Sequence, residues 1–210
     1  MNLYKTLGMV ALCAVICFHS SGCDSSSGPL VLISVGFEQG HENWKVEGKK
    51  WGGSTPELRQ GEGNPGNSLF AISGLDGGSM YWIASQDFLT EFSREVPKYL
   101  GKDGLDLTYE LKQTPLDELS HDEDVVISDG SQTIAYYLGQ RPNTSWSQFN
   151  IPLEPSGWYY LNKNGNRTDK QPTMADFEDI IRDVKSLKIR AEYQDGRDSN
   201  WLDNIRVVVD

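Results

Sequence analysis

Cysteine is almost missing from this chain, and the three present, Cys13, Cys17 and Cys23, all stand near its start. Past Cys23 no disulfide and no thiolate metal centre can form. Histidine is equally scarce: beyond Gly22 only His41 and His121 remain, too few soft ligands for zinc. Positive charge is short as well. Nineteen Lys and Arg face 30 Asp and Glu, for a formal net charge of -11, and no basic cluster offsets that field, so nucleic acid is not an expected partner. No nucleophile elbow, zinc-protease helix, phosphate loop or Cys/His pair occurs. A non-catalytic protein is therefore expected.

What is present begins with export grammar. Lys5 precedes an uncharged apolar run from Leu7 to Phe18, followed by the small residues Ser20, Ser21 and Gly22. Such a run is too short to span a bilayer and reads as a secretory signal peptide over residues 1–22. Removing it leaves Cys23 first, and a lone cysteine there has no internal partner. Ser20-Ser21-Gly22-Cys23 resembles a bacterial lipobox, although Ser20 stands where that pattern prefers Leu. The resemblance implies a lipidated Cys23, a membrane anchor and a cell-envelope location. Residues 23–29, with the Ser/Gly-rich stretch after the cysteine, form a flexible tether, so the folded domain is expected over residues 30–210.

The whole chain carries 21 Gly and 9 Pro, with 38% hydrophobic residues, a composition suited to strands and turns around one core. Leu105, Leu107, Tyr109 and Leu111 alternate with polar neighbours, as do Phe149, Ile151 and Leu153, the period of half-buried strands. Further strands are predicted at 30–37, 68–73, 80–84, 125–128, 133–138, 187–193 and 201–209. Turn-rich stretches at 61–66 and 162–167 favour antiparallel pairing. Phe177, Ile180, Ile181 and Val184 instead recur at helical spacing behind Thr173, which stands where an N-cap belongs. One short amphipathic helix is predicted near residues 174–186.

In chain order, Tyr81-Trp82-Ile83-Ala84 with Phe88-Leu89, the strand 105–111, Asp124 to Gly130, Trp146 to Leu153 with Trp158, Leu187 to Ala191 and Leu202-Asp203-Asn204-Ile205 resemble the ordered motifs of the laminin type IV (laminin B) domain. The resemblance spans 37–209. Ser85 replaces that family's proline after Ala84, and Lys102-Asp103-Gly104 replaces its "SYGG" turn, so recognition surfaces built by those loops do not carry over. The resemblance implies an all-β, jelly-roll-like antiparallel sandwich, similar to carbohydrate-binding modules, in an extracellular protein that binds a glycan or a protein.

Two sets of residues carry candidate chemistry. Asp203 shares parity with Ile205, Val207 and Val209, which places a carboxylate toward the core side, and Glu38 ends the first strand. First and last strands of such sandwiches are often neighbours, and two carboxylates with backbone carbonyls suit calcium. The alternative is that Asp203 accepts backbone N–H groups and needs no metal. Among the six tryptophans, Trp82 and Trp146 read as core. Trp51, between lysines and glycines, and Trp158, at a strand end, are candidates for a glycan platform or for packing. The carboxylates Glu110 and Glu192, each on a predicted strand, keep a glycan-acting hydrolase as the rival function. A purely structural envelope component is the third possibility.

Overall fold

The structure is a computed structural model, and it describes residues 28–48, 55–73, 79–114, 123–193 and 197–210. The expected signal peptide (residues 1–22), Cys23 and Trp51 lie outside the described residues, as does His121. The strands are, in order, β1 (Leu30–Val35), β2 (Lys45–Glu47), β3 (Glu57–Gly63), β4 (Gly66–Ile72), β5 (Tyr81–Ile83), β6 (Asp106–Gln113), β7 (Val125–Ser128), β8 (Thr133–Tyr136), β9 (Ser147–Pro152), β10 (Trp158–Tyr160), β11 (Ser186–Arg190) and β12 (Ser199–Val209). The helices are α1 (Gln86–Glu95) and α2 (Met174–Arg182).

Two antiparallel sheets form. The first runs β3-β4-β12-β6-β9, with β1 also on β12; the second runs β10-β8-β7-β11-β5-β2. The alternating residues of β6 and β9 explain the layering, because Leu107, Tyr109, Leu111, Phe149 and Ile151 are all buried while their neighbours point outward. Those side chains share one hydrophobic cluster with Val125, Ile127, Ile134, Leu187 and Ile189 of the second sheet. This is the jelly-roll-like sandwich the sequence predicted.

The last strand organises the first sheet. β12 is long enough to hold two partners on one edge: Ser199 to Leu202 pair with β4, and Ile205 to Val209 pair with β1. Asn204, at φ 49°, lies between these halves, and the register with β6 shifts between Asp203 and Arg206. A bulge of this kind reverses side-chain parity. Leu202 faces the core with Ile205, Val207 and Val209, so Asp203 and Trp201 lie on the opposite, outer face. The expectation that Asp203 points to the core side therefore fails, because simple alternation does not survive the bulge.

Both helices cover the core through apolar stripes. In α2, Phe177, Ile180 and Ile181 are buried and Thr173 makes the predicted cap, reciprocated by Asp176 as a capping box, the arrangement that satisfies orphan N–H groups at a helix start. Helix α1 is a helix the sequence did not predict. Ser85, standing where the resembling family has proline, accepts a hydrogen bond from Phe88 N at 3.3 Å and caps it. Phe88, Leu89 and Phe92 are its buried face. Its end and that of α2 are tied by Val184 N donating to Ser93 Oγ at 3.0 Å. No described helix is long and apolar enough to cross a membrane.

Candidate functional site

The outer face of the first sheet concentrates the exposed chemistry. Cross-strand pairing aligns Phe70 of β4 with Trp201 of β12, and Trp201 with Lys112 of β6; Trp146, one residue before β9, closes the row. Residues directly opposite on one face of a sheet interact side by side. The Phe70 and Trp201 rings lie 5.0 Å apart at 53°. Lys112 Nζ sits 4.6 Å from the Trp201 ring centre and 4.9 Å from that of Trp146, and the Arg59 guanidinium lies 4.2 Å from Phe70. Trp201 Nε1 donates to Glu62 Oε2 at 2.9 Å. Phe70 is buried beneath this arrangement, while Trp146, Trp201, Lys112 and Arg59 are each partly exposed. Aromatic faces interleaved with cations offer both a stacking surface and hydrogen-bond donors.

Trp146 is thus not a core residue, contrary to its strand-like context. It precedes β9 and packs on the outside. Trp158 fails as a platform for the opposite reason. It is fully buried, its Nε1 donates to Pro152 O at 2.8 Å, and its ring meets Phe177 edge-on at 5.6 Å. A ring with no open face cannot stack on a sugar. Glu110 and Glu192 do not pair: Glu110 lies on the outer face of β6 in the first sheet, whereas Glu192 is buried two residues beyond the end of β11 of the second.

The next rank of the outer face holds Asp203 and its cross-strand partner Glu110. Here β1 leaves the edge of β12 and β4 begins, which is why Glu38 comes close. The tip of the β3–β4 hairpin folds across this junction. Asp203 Oδ2 accepts from Asn64 N at 2.7 Å, and Oδ1 accepts from Asn204 N at 2.7 Å. Glu38 Oε1 accepts from Asn67 N at 3.0 Å, and Glu110 Oε2 accepts from Asn64 Nδ2 at 3.0 Å and Asn204 Nδ2 at 2.8 Å. Gly66 is required at the tip: its φ is +89°, and a Cβ there would meet Glu38 Oε1 at 1.8 Å. The hairpin explains how Asp203 is fully buried on an outward face.

Burial pushes the Asp203 carboxyl up to about 6, the Asn64 and Asn204 N–H bonds opposing it and the charges of Glu110 and Glu38 adding to it. The structure therefore brings Glu38 and Asp203 together with a third acid that sequence reasoning assigned elsewhere. The backbone N–H bonds that Asp203 accepts are those of the metal-free alternative. Among the described residues no set of three or more His, Cys, Asp or Glu side chains is disposed to hold a metal ion. Calcium at this place would rest on the carboxylates of Glu38 and Asp203, hard oxygen ligands of the kind that ion takes, in exchange for the N–H groups they accept from here.

Comparison with known proteins agrees with this architecture. The L4b domain of human laminin alpha-2 superposes with a TM-score of 0.60 at 16% identity, over 85% of this chain and 97% of that one. A family 11 carbohydrate-binding module of the cellulosomal cellulase Lic26A-Cel5E of Clostridium thermocellum superposes with a TM-score of 0.51 at 17% identity, over 89% and 97%. At such identities these likenesses show a shared fold. No curated protein matches the chain by sequence. The profile of the Laminin B (Domain IV) family matches residues 97–209, more than half the chain, beginning beyond the Tyr81–Ala84 segment. The chain belongs to the Laminin B (domain IV) family.

Proposed function

We propose that this protein is a non-catalytic, lipid-anchored envelope protein that binds a glycan on the outer face of its first sheet. The observation that carries the reading is the row of Trp201 and Trp146 with Lys112 between them, flanked by Arg59, Glu62 and Glu110. Sugar rings present apolar C–H faces and hydroxyl edges, and this row matches both: indole faces for the former, charged groups for the latter. Carbohydrate-binding modules share the fold, which is compatible with the reading without choosing a ligand. A glycan array probed with residues 24–210 tests it; binding to at least one glycan, accompanied by a change in tryptophan fluorescence, is the expected result. Binding only to proteins would overturn the glycan assignment.

Anchoring rests on the sequence around Cys23. Cys23→Ser moves the protein from the membrane fraction to the soluble one, and unchanged fractionation would refute the anchor. At the hairpin junction, Glu38 and Asp203 hold a structural calcium, with the oxygens of the neighbouring turn completing its shell. Chelation then lowers the melting temperature of the wild type by more than that of Asp203→Ala. Equal sensitivity in both would exclude that site.

A further inference from the structure

A second polar cluster lies on the other side of the same strand. Where β12 begins, the inner face of the first sheet turns from apolar to polar: Gln113 of β6 pairs across with Asn200 of β12, and Ser73 and Asp198 follow at the end of the sheet. All four are buried, with Asp198 and Asn200 each 2% exposed and Gln113 1%. Asn200 Nδ2 donates to Asp198 Oδ1 at 2.9 Å, Gln113 Nε2 donates to Asp198 Oδ2, and Ser73 Oγ donates to Asp198 Oδ1. Asp198 N returns a bond to Ser73 Oγ at 2.9 Å.

The accounting around Asp198 does not close. Its carboxylate has only neutral partners among the described residues, and burial pushes its pKa up, with the Ser73, Asn200 and Gln113 hydrogen bonds opposing the rise. Two amide oxygens beside it, Gln113 Oε1 and Asn200 Oδ1, are buried with no hydrogen-bond partner among the described residues. Buried carbonyl-type oxygens are seldom left unpaired, and a buried charge ordinarily has a counter-charge. A half-turn of each amide exchanges its oxygen and nitrogen. It would set both oxygens against Asp198, an arrangement that is repulsive unless a cation stands among them. A water molecule would satisfy the amides but leave the carboxylate without opposite charge.

We propose that Ser73, Gln113, Asp198 and Asn200 form a binding site for a hard divalent cation of calcium's size, closing the end of the sandwich. Carboxylate, amide and hydroxyl oxygens are the ligands such an ion takes, and one carboxylate among neutral donors suits the modest affinity of extracellular modules, roughly 0.1–1 mM. The site is independent of the glycan face and of Glu38–Asp203. Asp198 lies five residues from Asp203, roughly 17 Å along an extended strand, and on the opposite face of the sheet.

The test is the difference in melting temperature of residues 24–210 between calcium and chelator, measured for the wild type, Gln113→Glu and Asn200→Leu. A second site changes that difference without involving Asp203. A carboxylate added at 113 binds the ion more tightly while repelling Asp198 in its absence, so the difference widens. Leucine at 200 removes a ligand, so it narrows by about 3–6 °C at calcium roughly tenfold above the dissociation constant. Differences equal to wild type in both variants overturn the proposal. Should either variant not fold, equilibrium dialysis of Asp203→Ala decides: a calcium still bound supports the site, and none bound overturns it.

Discussion

Lowering the pH should stabilise this protein in the absence of calcium, and Asp203 is the reason. Its carboxyl is raised to about 6 in the fold, from 3.8 for an ordinary aspartate. The folded state therefore holds a proton that the unfolded state has already released across that window. The stabilisation is complete below about pH 4 and is lost as the pH rises through about 6, which by linkage amounts to about 3 kcal/mol for this one group. Burial is the main cause, so the effect does not depend on screening by salt. Urea unfolding in chelator at intervals from about pH 4 to 7 measures it. Asp203→Ala supplies the reference: it leaves Asn64 N and Asn204 N without their acceptor and lowers stability throughout, but it removes the dependence on pH that Asp203 contributes. The gap between wild type and variant should shrink by about 3 kcal/mol as the pH rises over this window. A gap that is constant, or widens with pH, would refute the burial argument. Calcium at Glu38 and Asp203 would flatten the wild-type slope, because the ion stabilises the charged form.

Other outcomes follow from local geometry. Trp158→Ala empties a fully buried site and removes the bond to Pro152 O, costing about 3–5 kcal/mol in urea unfolding, with glycan affinity unchanged in whatever fraction folds. Gly66→Ala forces Glu38 off Asn67 N and strains a positive φ; a loss of about 1–3 kcal/mol is expected, and a neutral result would mean the hairpin tip is not clamped. Thr173→Ala breaks the capping box of α2 and lowers stability by about 1 kcal/mol, read by the same unfolding curves.

Periodicity made most strands legible, because Leu105 to Leu111 and Phe149 to Leu153 alternate cleanly and their inner faces meet the opposite sheet. Short edge strands were not: Lys45–Glu47 gives only Val46 to the core, and Glu57–Gly63 has no buried residue at all, so neither leaves a period-two signature. Helix α1 was hidden by its composition, since Phe88, Leu89 and Phe92 read equally as a short apolar segment until Ser85 is recognised as a cap. The juxtaposition of Glu38 with Asp203 was legible from the pairing of first and last strands. The face of Asp203 was not, because the bulge at Asn204 depends on two different partners, β1 and β4, sharing one edge. Trp82 is in the core as read, but the reading of Trp146 as core and of Trp158 as a platform failed for a related reason. Position at a strand end does not tell which layer a ring joins; Trp158 is taken by Phe177 and Tyr136, whereas Trp146 and Trp201 are held outside by Lys112.

Glycan binding by the outer face is the central claim, and one titration addresses it directly. With any glycan retained by the wild-type domain, calorimetry of Trp201→Ala and Trp146→Ala should show affinity reduced at least about tenfold, roughly 1.4 kcal/mol or more, with melting temperatures that confirm folding. Wild-type affinity in both folded variants would contradict the account.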